Sequence, residues 1–350
     1  NQGAAEAARL LYMLDSGPGI VRQRRGKGFT YLYDNKVLKE KKAIGRIKKL
    51  AIPPAWTGVW ICPYENGHIQ ATGFDLRHRK QYRYHPQWSL LRNETKFHHL
   101  YEFGKTLPRL RVLLEEDMAV KGLTDRKVMA TVIRVMEKTY IRIGSNEYEK
   151  MYGSYGLTTL KDKHLLVKGD KIQFSFKGKK GIDHHISLQN RRLARTLKAC
   201  QDIPGRELFQ YYDAEGRRRT IDSGMVNSYI REATGGDFSA KDFRTWAGSL
   251  ESLYAFRELG PAADTKTCKK NVLEAIDRVS RRLGNTRTVC RKYYIHPGLI
   301  RLYEENKLLA WLGEMDPAGT AEENTNLASD EKVLLRILKK LVTATQIPSL

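Results

Sequence analysis

Gly284-Asn285-Thr286-Arg287-Thr288-Val289-Cys290-Arg291-Lys292-Tyr293-Tyr294-Ile295-His296-Pro297 sets two adjacent phenols among three cations, in a chain whose formal net charge is +23. A phenol is a poor nucleophile at neutral pH, because its unperturbed pKa is about 10. Nearby positive charge favours the phenolate, and the same cations would hold a polyanion against it. Helical spacing stacks Arg287, Arg291 and Tyr294 on one face at i, i+4 and i+7. Val289 and Tyr293 then share a more apolar face. This spacing favours Tyr294 as the reactive group and Tyr293 as packing, with Arg291 against the polyanion. The competing reading is structural: the chain has 18 tyrosines, and most tyrosines are amphipathic packing residues.

Composition narrows the partner. At 350 residues the chain can build two domains, each with its own core. Lys and Arg total 62 against 39 Asp and Glu, spread along the chain, which points to nucleic acid as the partner. No run of 18 apolar residues exists, so no membrane span is expected. Cys62, Cys200, Cys268 and Cys290 lie too far apart for a zinc knuckle or a disulfide framework, and suggest a reducing compartment. The opening Asn1-Gln2-Gly3-Ala4-Ala5 lacks the basic and apolar regions of a secretory signal. Position 1 is not Met, as in a chain with a trimmed start. No G-x-x-x-x-G-K-[ST] loop, G-x-G-x-x-G turn or H-E-x-x-H pair occurs, so neither a nucleotide cofactor nor a metal site is read. His98-His99 and His184-His185 are adjacent pairs whose side chains diverge on any regular element, which disfavours chelation.

Residues 1–95 read as a small mixed domain. Strands are expected over 29–34, 58–63, 68–73 and 79–85, with a lysine-faced helix over 36–50. The last strand, Arg79-Lys80-Gln81-Tyr82-Arg83-Tyr84-His85, interleaves aromatics with bases. It suits either a charge-guarded edge or a strand that reads a DNA groove. Helices are expected over 86–117, 124–143, 188–200, 222–233, 239–258, 262–283 and 330–343, the last as an amphipathic docking helix after a polar linker. Two strands over 164–167 and 171–176 lead through the turn Lys177-Gly178-Lys179-Lys180-Gly181 into a third at 182–186.

Three basic landmarks stand beside Tyr294, each with a structural alternative. Arg142, ending the 124–143 helix, could cap carbonyls. Lys179 at the turn could simply be solvated. Arg244, in the second turn of a helix capped by Ser239 and Asp242, could pair with a carboxylate.

Together the blocks Tyr140–Gly144, Gly156–His164, Gly178-Lys179, Lys241–Thr245 and Asn285–Tyr294 resemble type IB DNA topoisomerases, in particular their poxvirus-type and bacterial branch. The resemblance runs in order over about residues 20–310. It implies a catalytic set of Arg142, Lys179, Arg244, Asn285 and Tyr294. Tyr294 would attack a backbone phosphorus, the two arginines would bind the non-bridging oxygens, and Lys179 would protonate the departing 5′ oxygen. Asn285 stands where some members carry His, and can offer a neutral hydrogen bond but no charge. Its structural alternative is a helix N-cap after Gly284. Gln81, Tyr82 and Tyr84 match a DNA-reading strand, Tyr148 matches a DNA-facing position, and Lys241 lies in a family block beside DNA.

The implied fold is α+β, a clamp of two lobes around duplex DNA. A strand-rich DNA-binding domain would occupy 1–95, and a mainly helical catalytic domain with a β-hairpin sheet would occupy 96–312. A linker and C-terminal helix would cover 313–350. No cofactor is implied, and the expected species is a monomer on double-stranded DNA, in the cytoplasm and associated with the nucleoid. A tyrosine recombinase is the rival enzyme. Lys241, where recombinases usually place His, and the strand-rich first lobe argue against it. A catalytically decayed DNA-binding protein is the rival from another class.

Overall fold

Ile20-Val21-Arg22-Gln23-Arg24-Arg25 carries too much charge to announce itself as a strand, yet it is central to the first sheet. Beside buried Ile20, its next inward residue is an arginine. The Arg22 guanidinium donates to the carbonyls of Ile52, Pro53 and Trp56 at 3.2, 3.0 and 2.8 Å and lies 4.2 Å over the Phe29 ring. With three carbonyl acceptors and a ring beneath it, a cation occupies a position that alternation reserves for an apolar residue.

The structure, a computed structural model, describes residues 2–26, 28–76, 78–315 and 326–345. The chain divides into two compact units, Asn1–Phe97 and His98–Leu350. In the first, helices α1 (Gln2–Ala7) and α2 (Lys41–Lys49) accompany six strands. These are β1 (Ile20–Arg25), β2 (Gly28–Tyr33), β3 (Lys36–Val37), β4 (Thr57–Ile61), β5 (Ile69–Phe74) and β6 (Lys80–Tyr84). They pair antiparallel in the order β3-β2-β1-β4-β5-β6. Ile20, Ile47, Val59, Ile61 and Ala71 form its core. The aromatic-basic strand β6 is therefore an edge strand. The expected 36–50 helix is shorter because Lys36 and Val37 pair with β2 first.

Helix α3 (Pro86–Ala119) follows, and its Leu100, Phe103, Leu107, Leu110 and Leu114 enter the core of the second unit at helical spacing. That unit continues with α4 (Asp125–Thr139), α5 (Asn146–Tyr152) and a three-stranded antiparallel sheet of β7 (Leu165–Lys168), β8 (Lys171–Lys177) and β9 (Asp183–Gln189). Next come α6 (Arg191–Gln201), the hairpin β10 (Gln210–Tyr212) and β11 (Arg218–Thr220), and α7 (Ser223–Thr234). The remainder is helical: α8 (Ala240–Leu259), α9 (Thr265–Leu283), α10 (Arg287–Tyr293), α11 (Pro297–Glu304), α12 (Leu309–Leu312) and α13 (Ser329–Thr345). Mixed helix with antiparallel sheet is thus the fold class.

Helix α8 is buried almost all round, from Phe243 and Trp246 through Leu250 and Leu253 to Phe256, and α4, α7, α9, α11, α12 and α13 pack around it. The expected linker residues 316–325 lie outside the described residues. The helix after them docks on this same core, burying Val333, Leu334, Ile337 and Leu338. Its Glu331 receives both terminal nitrogens of Arg111 at 2.8 and 2.7 Å and the Trp246 indole N–H at 3.1 Å. Arg111 and Arg134 also share Glu137, and Arg134 reaches Glu115. Burial alone would raise the Glu137 carboxyl, but the two arginines outweigh it and hold it below its ordinary 4.5.

Removing one member of so buried an ion-pair set strands the others. Glu331→Ala is expected to lower unfolding stability by about 3 kcal/mol in a denaturant titration, the lower end for a broken buried pair because Glu137 remains. A loss under about 0.5 kcal/mol would contradict it. The Glu137 contribution, whole above pH 4.5, is expected to be lost as acid carries the pH down through the lowered folded value.

Candidate active site

Arg142 does not end a helix. α4 stops at Thr139, and Tyr140 takes a left-handed conformation with φ 58°, its N–H bonding back to Met136 O at 2.8 Å. β-branched Ile141 and Ile143 flank Arg142 and favour the extended path that follows. That path is strapped to a second segment, Leu157 N–H donating to Arg142 O at 2.9 Å and Thr158 N–H to Ile143 O at 2.7 Å. Gly156 makes the approach possible, since a Cβ there would lie 2.6 Å from Arg142 O.

The half-buried Arg142 donates through Nη2 to Gly284 O at 3.0 Å and to Asn285 Oδ1 at 2.5 Å. Arg244, only 4% exposed, donates to Leu283 O at 2.7 Å and to Tyr140 O. Two guanidiniums thus meet the last carbonyls of α9. The carbonyl-capping alternative raised for Arg142 is real, although the helix it caps is a different one. The carboxylate partner raised for Arg244 is absent: among the described residues neither guanidinium pairs with Asp or Glu. Burial first, and then the charge of Arg244, push the Arg142 guanidinium down to about 10, so it remains a cation at neutral pH.

Tyr294 joins this cluster from α10. It is the residue after the helix, with φ −125°, and its N–H bonds to Cys290 O at 2.9 Å. The expected face assignment is reversed here. Tyr293 is 40% exposed, whereas Tyr294 packs partly buried on the core, so the buried pair is Cys290 and Tyr294. The Arg244 guanidinium stands 5.2 Å over the Tyr294 ring. Gly248 lies one turn beyond Arg244 on the same face of α8, and a Cβ there would sit 2.6 Å from Tyr294 O. Ser249 Oγ donates to that carbonyl at 3.4 Å and accepts the His296 N–H at 3.2 Å. Residues 244, 248 and 249 of one helix therefore set the tyrosine. Burial pushes the Cys290 thiol up to about 11, against the pull of both arginines, which leaves it an unreactive thiol.

Asn285 is not the N-cap. Thr286 takes that role, accepting the Val289 N–H at 3.4 Å, while the Asn285 N–H closes α9 onto Ser280 O at 2.9 Å. The Asn285 amide is thereby turned to Arg142. Its Nδ2 and the Arg244 Nε are both buried donors with no partner among the described residues. Such donors cost about 1–3 kcal/mol each when left unpaired.

Lys179 caps an exposed turn between β8 and β9, and its ammonium stands 5.1 Å over the Tyr148 ring. Tyr148, on the unforeseen helix α5, is in turn 5.6 Å from Tyr152. Lys241 and Arg291 are exposed on the first turn of α8 and on α10. On β6, in the first unit, Tyr82 and Tyr84 stack at 5.7 Å on one face, while Gln81 faces the other way and donates to Asp75 at 3.0 Å. The structure thus gathers Arg142, Arg244, Asn285 and Tyr294, places Lys179 with Tyr148, and separates Gln81 from its neighbouring tyrosines. Gly248 and Ser249 were missed by sequence reasoning. Small residues in an apolar helix carry no signal until the segment packed on them is known.

Comparison with known proteins shows the family. Residues 83–309 match the family model described as eukaryotic DNA topoisomerase I, catalytic core. Residues 28–75 match the one described as bacterial DNA topoisomerase IB, N-terminal domain. The chain is 33% identical over 297 residues to DNA topoisomerase 1B of Acanthamoeba polyphaga mimivirus, covering 82% of this chain and 88% of that protein. It is 23% identical over 284 residues to DNA topoisomerase 1B of Vaccinia virus (strain Western Reserve), covering 79% and 86%. DNA topoisomerase 1 of Rabbit fibroma virus (strain Kasza) is 24% identical over 263 residues, covering 71% and 78%. The chain belongs to the type IB DNA topoisomerases, isomerases that act on DNA.

Proposed function

We propose that Tyr294 is the nucleophile of a supercoil-relaxing reaction and that Arg142, Arg244, Asn285 and Lys179 complete its site. The Tyr294 phenol loses its proton to solvent, its oxygen bonds a backbone phosphorus, and the bond to the 5′ oxygen breaks. The 3′ phosphate is then held on Tyr294, and Lys179 gives its proton to the departing 5′ oxygen. The free end rotates, and the 5′ hydroxyl attacks the phosphotyrosine to restore the strand. One phosphoester replaces another in each direction, so no ATP is required.

A single observation carries this reading. Two guanidiniums that meet no carboxylate among the described residues, and two buried N–H donors that find no partner there, Arg244 Nε and Asn285 Nδ2, stand together beside the ring of Tyr294. That is a receptor for the charge that builds on non-bridging phosphate oxygens. Against the decayed-site alternative stands the retention of Arg142, Lys179, Arg244, Asn285 and Tyr294 together in the sequence. Lys241, Tyr148 and Arg291 in the second unit, and Tyr82, Tyr84 and Gln81 in the strand-rich first unit, are the proposed DNA contacts. The strand-rich unit serves as the DNA-binding domain and the mainly helical unit as the catalytic one. The protein works as a monomer on chromosomal DNA in the cytoplasm.

Supercoiled plasmid is the substrate for the test, with EDTA present and ATP omitted. The wild type is expected to relax it and Tyr294→Phe to lose relaxation, while Tyr293→Phe stays near wild type; relaxation retained by Tyr294→Phe contradicts the assignment. In single-turnover cleavage, Arg244→Gln is expected to lose roughly 10²–10³ in rate, the usual cost of one oxyanion donor. Asn285→Ala loses about tenfold, the worth of one neutral hydrogen bond. Equal losses at the two positions would show that charge is not what separates them.

A further inference from the structure

One ring ties the lysine turn to the nucleophile segment. His184 lies on β9 opposite Phe176, and the two rings stack at 5.0 Å with an 18° interplanar angle. Its neighbour His185 points to the other face and meets Ser175 Oγ at 2.9 Å. Two glycines flank the His184 ring, and neither could carry a side chain. A Cβ on Gly178, directly before Lys179, would lie 2.5 Å from His184 Cδ2. A Cβ on Gly284, directly before Asn285, would lie 2.7 Å from His184 Cε1. Gly284 has the further reason of φ 57° for being glycine, but Gly178 does not, at φ −92°. Its smallness answers to the ring.

Beneath His184 the stack continues. Phe176 is 6.4 Å from His164, whose ring is 4.4 Å from Tyr155, and the Tyr155 N–H donates to Lys177 O at 2.9 Å. The turn itself is tight, with Gly178 N–H on Ile182 O at 2.7 Å. The base of the hairpin is therefore anchored by aromatic packing, and its tip touches the Gly284 segment through one imidazole. Burial first, then the charges of Arg142 and Arg244, push that imidazole below its ordinary 6.5. Of the other charged neighbours, Asp183 acts the opposite way and His185 adds to the depression. At neutral pH it is an uncharged wedge, compatible with two cations beside it.

We propose that His184 is a positioning residue that holds the Lys179 turn against the Gly284-Asn285 segment, so that the lysine reaches the departing 5′ oxygen while Tyr294 reaches the phosphorus. This rests on the reading of Lys179 as the proton donor. Losing the wedge would leave DNA binding and the arginine contacts intact but let the turn drift, and a drift of about 1 Å costs up to roughly 10²-fold.

The test uses the leaving group. Single-turnover cleavage is measured on a suicide duplex with an ordinary scissile phosphodiester, and on the same duplex with sulfur replacing the 5′ bridging oxygen. A thiolate departs without a proton, so a defect in proton delivery disappears on the sulfur substrate. His184→Ala is expected to slow the oxygen substrate by about tenfold to a hundredfold and the sulfur substrate by less than about threefold, with unchanged DNA affinity. His184→Phe keeps a ring on Phe176 and is expected to recover most of the lost rate. Equal slowing of both substrates by His184→Ala, no slowing at all, or a Phe variant no faster than the Ala variant overturns the proposal. Lys179→Ala serves as the reference: if it too slows both substrates equally, the proton-donor reading falls, and the positioning role with it. If Lys179→Ala shows the selective defect and His184→Ala does not, only the positioning role falls.

Discussion

Two guanidiniums donating into the carbonyl end of one helix are the contact on which the site depends. The last carbonyls of α9, Leu283 and Gly284, face away from any intrahelical donor and carry the negative end of the helix dipole. They can hold Arg142 and Arg244 in place while cancelling only part of the charge. A carboxylate would hold them more tightly, but it would also occupy the donors and neutralise the pair. Fixing cations with dipoles keeps them available for an anion. The neighbouring elements follow from that choice. Tyr140 is left-handed where its carbonyl meets Arg244, Gly284 is left-handed where its carbonyl meets Arg142, and α10 starts immediately beyond.

The same unit uses arginine in the opposite way some distance along α3 and α4. Arg111 and Arg134 are buried, as Arg244 is, yet each is shared between two glutamates. Burial raises the cost of any charge, and the carboxylates bring the Arg111 guanidinium well above its ordinary range. Arg142 moves the other way, under burial and the neighbouring Arg244. One residue type thus ties carboxylates together in one place and, among the described residues, stands on carbonyls alone in the other. What differs is the presence of Glu.

Much of this was legible before any coordinate. The capped helix of Arg244, the lysine turn, the stripe of α4 and the basic edge strand β6 all come from local pattern, and the ordered blocks pointed to a family. What escaped has a physical reason in each case. β1 hid because Arg22 fills an inward slot. The β10–β11 hairpin hid because each strand is only three residues long and Arg218-Arg219-Thr220 of β11 is exposed and largely charged. Tyr293 and Tyr294 were told apart on helical spacing, which put the wrong ring of the two on the core. The helix ends before Tyr294, and burial of that ring is set by Gly248 and Arg244, far away in sequence. The glycine slot for His184 is likewise invisible without the partner it admits.

The account turns on which phenol bonds the phosphate. A suicide duplex traps the covalent protein–DNA adduct, and digestion with trypsin followed by nuclease leaves one modified peptide, Tyr293 to Arg301, for fragmentation by mass spectrometry. The predicted result is a nucleotide on Tyr294, the half-buried ring beneath Arg244. A nucleotide on the exposed Tyr293, or on a peptide elsewhere in the chain, would contradict the account.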